Sequence, residues 1–326
     1  MRKLLLNSTA IATVAALTAS VAVADVSISA VSEFKYKSRS SAIASYDGTT
    51  YANTSEIAFK FSNKTDSGLT VGYVAEMISD GGAIAIDESS ISIAGGFGKV
   101  VLGNNDGVGE YGIAAVDLIA EESSSNVVSS TIQTNSDISQ GNADATKIAY
   151  HLPAMGGFTG GMSHTDSGQT SGTDTTTYGA SYTMDAGGNT ITIGGASTTT
   201  EASTTDTDSQ NLGIKIVTGN LSVIVSNATL EKVDEDINTQ GVSASYKLAN
   251  GMTLGAYSIK SEDDLDIGEE YTASGVEAQY TIAPGLIAVL TVDDYEYTTQ
   301  TAVAEAGGGT VNDSGTTTSL TIKASF

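Results

Sequence analysis

Side chains able to do covalent chemistry are scarce in this chain, and carboxylates dominate what remains. There are two histidines and no cysteine, against 38 Asp plus Glu and 14 Lys plus Arg. Without cysteine, zinc–thiolate sites and thiol nucleophiles are excluded. His151 and His164 are too few for a three-histidine zinc centre. Ser163 directly precedes His164, and on a strand the two would point to opposite faces, so they cannot act as nucleophile and base. No phosphate-cradling glycine pattern stands out, because the Gly-Gly pairs fall in turns.

The carboxylates fall into two groups. One lies in residues 104–144, which hold Asp106, Glu110, Asp117, Glu121 and Glu122 and contain no Lys or Arg. A connection this long, with neither strand alternation nor a sustained helical period, belongs to the functional or disordered class of loops. The second group sits in short acidic runs, Glu231–Asp236 and Ser261–Glu270. Oxygen-rich runs suit Ca²⁺ or Mg²⁺, which makes Asp263, Asp264, Asp266 and Glu269 candidates for weak divalent contacts. Neither run has the spacing of a helix–loop–helix calcium loop, and a solvated face is the plainer reading. The net charge of −24 excludes nucleic acid as a partner, since that would need a basic footprint.

The elements that must carry these residues follow a leader. Arg2 and Lys3 precede the short apolar run Leu4–Ala19, and Ala22-Val23-Ala24 is a small-residue cleavage site. Residues 1–24 therefore read as a secretory signal peptide. The mature chain, 25–326, has a net charge of −26 once Arg2 and Lys3 are gone. It is rich in Gly, Ser, Thr, Ala and Tyr, has no Trp, and spaces its large aliphatic residues singly. That is too little for the core a soluble domain of this length needs, but it suffices if the apolar side chains face lipid.

Strand-like stretches of about ten residues recur through the mature chain. In the first, Val26, Ile28, Ala30, Phe34 and Tyr36 alternate with Ser27, Ser29, Glu33 and Lys35; in the second, Ile57, Phe59 and Phe61 alternate with Glu56, Ala58, Lys60 and Ser62. The full set is 25–37, 51–63, 68–79, 86–95, 97–104, 145–152, 156–164, 176–185, 188–198, 209–218, 220–230, 239–249, 251–262, 270–282, 285–298 and 315–326. Connections alternate between short turns, such as Asp185–Gly188 and Ala283–Gly285, and longer acidic or Ser/Thr-rich loops. Transmembrane barrels have this asymmetry. With no apolar run of about twenty residues in the mature chain, membrane crossing must be by a closed barrel. Tyr36, Tyr51, Tyr178, Tyr271 and Tyr297 fall near strand ends, where aromatic girdles sit. By alternation Lys35, Lys60, Lys147 and Lys323 face the lumen with Glu33, Glu56 and Glu76.

Two stretches carry a family resemblance. The run Gly95-Gly-Phe-Gly-Lys-Val-Val-Leu-Gly-Asn104 resembles the fifth strand of Gram-negative general diffusion porins, nearest the alphaproteobacterial type. The last strand ends on Phe326, with Leu320, Ile322 and Ala324 on the same face. It resembles the assembly signal of outer-membrane proteins, although Ala324 stands where the pattern often has an aromatic. The resemblance implies an all-β, 16-stranded antiparallel transmembrane barrel that assembles as a homotrimer. It implies that 104–144 is a third loop folded into the lumen as a constriction. Acids of that loop, among Asp106, Glu110, Asp117, Glu121 and Glu122, would face basic residues on the wall. In the mature part the wall can offer one arginine, Arg39, so its cluster would be made of lysines.

The expected protein is a passive, weakly cation-selective pore for small hydrophilic solutes and ions, with no catalytic residue and no cofactor unless Ca²⁺ or Mg²⁺ sits at the acidic loops. Its expected surroundings are outer-membrane lipids, lipopolysaccharide, and the barrel-assembly machinery reading Phe326. A surface adhesin or structural β-protein is the rival from another class, and a fixed sequence period would mark it. A solute-specific channel is the rival within the barrel class; an arginine track and an aromatic slide would mark it.

Overall fold

A computed structural model describes residues 25–43, 47–80, 82, 84–115, 145–166, 173–202, 205–233, 235–265, 269–299 and 311–326. Residues 1–24, expected to be a leader, and the loop acids Asp117, Glu121 and Glu122 lie outside the described residues, as does Asp266. Sixteen strands are present: β1 (Asp25–Ser41), β2 (Gly48–Lys64), β3 (Thr70–Asp80), β4 (Ala85–Gly95), β5 (Gly98–Asn105), β6 (Ala145–His151), β7 (Phe158–Thr165), β8 (Thr173–Ala186), β9 (Asn189–Ala202), β10 (Thr207–Thr218), β11 (Leu221–Lys232), β12 (Glu235–Lys247), β13 (Thr253–Asp263), β14 (Glu270–Ala283), β15 (Leu286–Thr299) and β16 (Val311–Ser325). Each pairs antiparallel with its sequence neighbours, and β1 closes the ring against β16 from Val31↔Ser325 to Ser41↔Gly315. Phe326 extends that seam: its N–H donates to Ala30 O at 2.8 Å, and Ala30 N donates back at 3.1 Å.

Closure leaves no strand edge, as a bilayer requires. Among the described residues no helix is long and apolar enough to cross a membrane; crossing is by strands. The alternation decides which face meets lipid. On β10 and β11, Leu212 and Val225 are 59% and 55% exposed, while their neighbours Asn211 and Ser226 are 3% and 4% exposed. A large apolar outside over a small, polar inside is the reverse of a soluble protein, and lipid is what covers it. The short turns lie at one end. Gly187 and Gly188, both at positive φ, make the two-residue link between β8 and β9 that a tight hairpin demands.

Several strands run further toward the long-loop end than alternation suggests. β8 starts at Thr173, β12 at Glu235 and β16 at Val311. Beyond the apolar band the outward positions are polar, as at Asp174, Asp236 and Ser314, so the hydrophobic period vanishes while the ladder continues. Cross-strand threonine pairs mark the extension, with Thr175 and Thr200 hydroxyls 3.3 Å apart and Thr177 and Thr198 at 3.0 Å.

Two of the girdle tyrosines are misplaced by the sequence reading. Tyr51 and Tyr178 are exposed on the outer face, but Tyr271 and Tyr297 point inward and are buried. They share the inward parity of Tyr257 and Tyr295, and the Tyr297 hydroxyl donates to Glu269 Oε1 at 3.0 Å. With Leu230, Ile237, Ile259 and Ala273 they form an apolar cluster on the inner side of β11–β15, where alternation alone led to a polar expectation.

Candidate pore lining

The chain after β5 turns inward. Asn105 is buried; its Nδ2 donates to Gly103 O (2.7 Å), and its Oδ1 accepts from Gly107 N (3.0 Å), which starts the turn. Lys147 on β6 donates from Nζ to Asp106 O at 3.2 Å. Val108 is fully buried against the inward residues Val101 and Ala149. A short 3-10 turn, Gly109–Tyr111, follows, and the segment then runs along the inner wall. Ile113 N donates to Asn211 Oδ1 of β10 (2.8 Å), Ala115 N to Ser226 Oγ of β11 (2.8 Å), and Ser243 Oγ of β12 donates to Ala115 O.

The wall makes room for this. A methyl group added at Gly179 of β8, Gly194 of β9 or Gly213 of β10 would land on the carbonyl oxygen of Val108, Tyr111 or Ile113 respectively. Added at Gly161 of β7 or Gly241 of β12, it would come within 2.9 Å of Val108 Cγ1 or 2.6 Å of Ala115 Cβ. Glycine inside a strand marks a place where another backbone approaches closely. These positions share the inward parity, a pattern present in the sequence that hydrophobic alternation alone does not pick out.

Of the five expected loop acids, two are described. Asp106 is partly buried, and its carbonyl is held by Lys147. Glu110 is exposed, with Oε1 4.0 Å from His151 Nδ1. The Tyr111 hydroxyl is 2.9 Å from that same nitrogen. Burial, then the neighbouring Glu110 carboxylate, raise the Tyr111 pKa above the usual phenol value, so its proton stays on at neutral pH.

The wall residues expected to face the lumen have the inward parity, but they do not form a lysine cluster. Lys35 Nζ lies 3.3 Å from Glu33 Oε1 on the same strand, and Lys60 Nζ lies 3.6 Å from Glu76 Oε1 on β3. Lys323 stands opposite Glu33 in the seam register, and Glu56 opposite Val31. Glu88 of β4 stands opposite Glu76 in the regular register, just before a shift at Met77, so two carboxylates share a position that Lys60 helps to offset. Ammonium and carboxylate groups are thus interspersed around β16 and β1–β4. Arg39 is used elsewhere: its guanidinium donates to Asp313 Oδ2 (2.8 Å) and to Tyr295 OH (2.9 Å), and stacks 5.0 Å from the Tyr295 ring centre.

Two of the candidate divalent ligands have protein donors. Asp263 Oδ1 accepts from Asp236 N (3.1 Å) and Leu265 N (2.9 Å), and Glu269 accepts from Tyr297. Asp264 lies beside them, its N–H on Asp236 O at 2.8 Å. Among the described residues no group of three or more His, Cys, Asp or Glu side chains could hold a metal ion.

A closed sixteen-strand barrel, apolar outside, charged within and carrying a chain segment on its inner wall, is the build of a membrane channel. The model of the Gram-negative porin family matches residues 10–326, and the chain belongs to that family. No curated protein matches it. Among solved structures it is similar to OmpT of Vibrio cholerae in its trimer form, at 12% identity and TM-score 0.69, covering 93% of this chain and 99% of that one. It is similar to the anion-selective porin of Comamonas acidovorans, at 15% identity and TM-score 0.63, covering 93% and 100%. A substituted form of the Rh. blastica porin gives 16% and 0.65, covering 92% and 100%. At such identities the likeness is one of fold. Family and fold together make the protein a passive diffusion channel of the Gram-negative outer membrane.

Proposed function

We propose that this channel passes small hydrophilic solutes without chemical specificity, takes no part in catalysis, and favours cations weakly. The observation that carries the cation preference is the balance of charge at the lumen. Lys35 and Lys60 each have a carboxylate neighbour on the wall, and Glu110 of the inner segment is an exposed acid beside His151. The chain as a whole carries −24. Acidic groups bordering a pore favour cations. The anion selectivity named for the Comamonas acidovorans porin belongs to that protein and does not transfer on fold, because selectivity follows the charges of the particular wall.

In this reading residues 104–144 form the constriction, residues 1–24 are removed on export, and three copies assemble as one unit; the trimer form of the Vibrio cholerae neighbour supports the last point. Reversal potentials across planar bilayers in a KCl gradient test the selectivity: a cation-directed potential is expected, and an anion-directed one refutes it. Unboiled gel mobility reports the trimer, and the amino-terminal residue of the exported protein, expected to be Asp25, reports the leader.

A further inference from the structure

In a barrel one residue thick, a segment lying inside projects into the lumen by an amount that depends on the wall residues beneath it. Here those residues form rows. Gly161 pairs with Gly179 across β7 and β8; Gly194, Gly213, Ser226 and Gly241 stand opposite one another in turn across β9–β12. Five lack a side chain, and the sixth uses its hydroxyl to accept from Ala115 N. We infer that this row sets the bore of the pore: the glycines let the backbone of 106–115 lie directly on the wall, and Asn211, Ser226 and Ser243 hold it there as positioning residues. The inference rests on the reading of this segment as part of the constriction.

Three observations converge on it. The clearances at Gly179, Gly194 and Gly213 admit no methyl group, so the contact is backbone on backbone. The side-chain hydrogen bonds at Asn211, Ser226 and Ser243 repeat on successive strands and engage N–H and C=O groups that a segment crossing a wall would otherwise leave unpaired. Burial agrees: Val108, Ala114 and Ala115 are shielded while Glu110 is exposed. The segment behaves as a lining laid directly on the wall, with one short turn, Gly109–Tyr111, along its course.

Adding volume beneath it must therefore narrow the pore, although the added atoms are not in the passage. Restoring normal contact distance to a methyl at Gly213 moves the Ile113 backbone inward by about an ångström. Single-channel conductance of Gly213→Ala should then fall by roughly a fifth, and of Gly213→Val by more. Heat-modifiable gel mobility establishes that each variant is folded. Glu110→Gln serves as the second arm and should shift the reversal potential toward anions. Unchanged conductance in folded Gly213 variants, with the Glu110→Gln shift present, overturns the inference and leaves the constriction reading standing. No change in either arm removes both. If the Gly213 variants do not fold, Ser243→Ala decides. It adds no volume and frees the Ala115 carbonyl, so open-channel current noise should rise; noise equal to that of the unaltered protein overturns the inference.

Discussion

The seam between the first and last strands offers the sharpest test of what holds the ring shut. Arg39 of β1 reaches across to Asp313 of β16, with N–O separation 2.8 Å and side chains only 12% and 3% exposed. Removing one partner of a buried pair costs about 3–5 kcal/mol when the other is left uncompensated. Here Asp313 would keep two donors, the Ser41 hydroxyl and the Tyr295 hydroxyl at 3.0 Å. That lowers the expected loss for Arg39→Met to roughly 2–3 kcal/mol, with the lost stacking on Tyr295 contributing about 0.5–1 of it. Asp313→Asn should cost a similar amount, because the guanidinium then stays buried against a neutral amide.

The double variant is the decisive measurement. If the two groups act as a unit, Arg39→Met with Asp313→Asn should be less damaging than the sum of the single changes by about 2 kcal/mol. Urea unfolding in lipid vesicles, followed by the folded band on unboiled gels, measures all three. Since the pair is neutral overall, the double variant should also keep the reversal potential of the unaltered channel. Additive effects, or single changes each within about 0.5 kcal/mol of the unaltered protein, would refute the clasp.

Other expectations follow from particular residues. Lys60→Gln removes the cation beside Glu76 and Glu88, so the reversal potential should move toward stronger cation preference; with Lys60 half-exposed, stability should change by less than about 1 kcal/mol in the same urea assay. Ile214→Arg puts a charge on the lipid face of β10 and should cost about 2–4 kcal/mol if that face sits near mid-bilayer. Tyr257→Phe takes from buried Asp293 a hydroxyl donor 2.7 Å away, and a loss of about 1–3 kcal/mol in urea midpoint comparisons is expected.

The barrel was legible because lipid enforces a strict period of two. Every expected strand is present, and Ile28, Phe34, Ile57 and Phe61 take the outer face that alternation assigns to them. Legibility failed where that enforcement stops. At the loop ends the outward positions are polar, so the starts of β8, β12 and β16 left no alternation to read. Inside, nothing requires polarity: Ile224 and Ile259 are fully buried inward, and the run Val223-Ile224-Val225 hides its inward member between two outward ones. The wall lysines were placed on the correct face, but their carboxylate neighbours depend on register. The Lys60–Glu76 and Lys323–Glu33 relations appear only once strands are paired.

Glycine parity links the lining to the clasp. The row beneath 106–115 has a counterpart beneath the tyrosines. A methyl at Gly275 would collide with the Tyr257 ring and the Asp293 carboxylate, and one at Gly315 with Ser40 O and the Tyr295 hydroxyl. Those rings lie along the wall rather than across the lumen, which puts their hydroxyls on Asp293 and Asp313. Each strand glycine sacrifices about 0.5–1 kcal/mol relative to alanine, and a net hydrogen bond returns about as much, so neither device gains much stability. What each gains is position: a surface laid flat against a thin wall, leaving the centre of the ring clear. At Gly179, Gly194, Gly213, Gly241 and Gly275 an inward glycine lies where a backbone or a ring rests on the wall, whereas at Gly72 and Gly103 an added methyl would first meet the neighbouring strand.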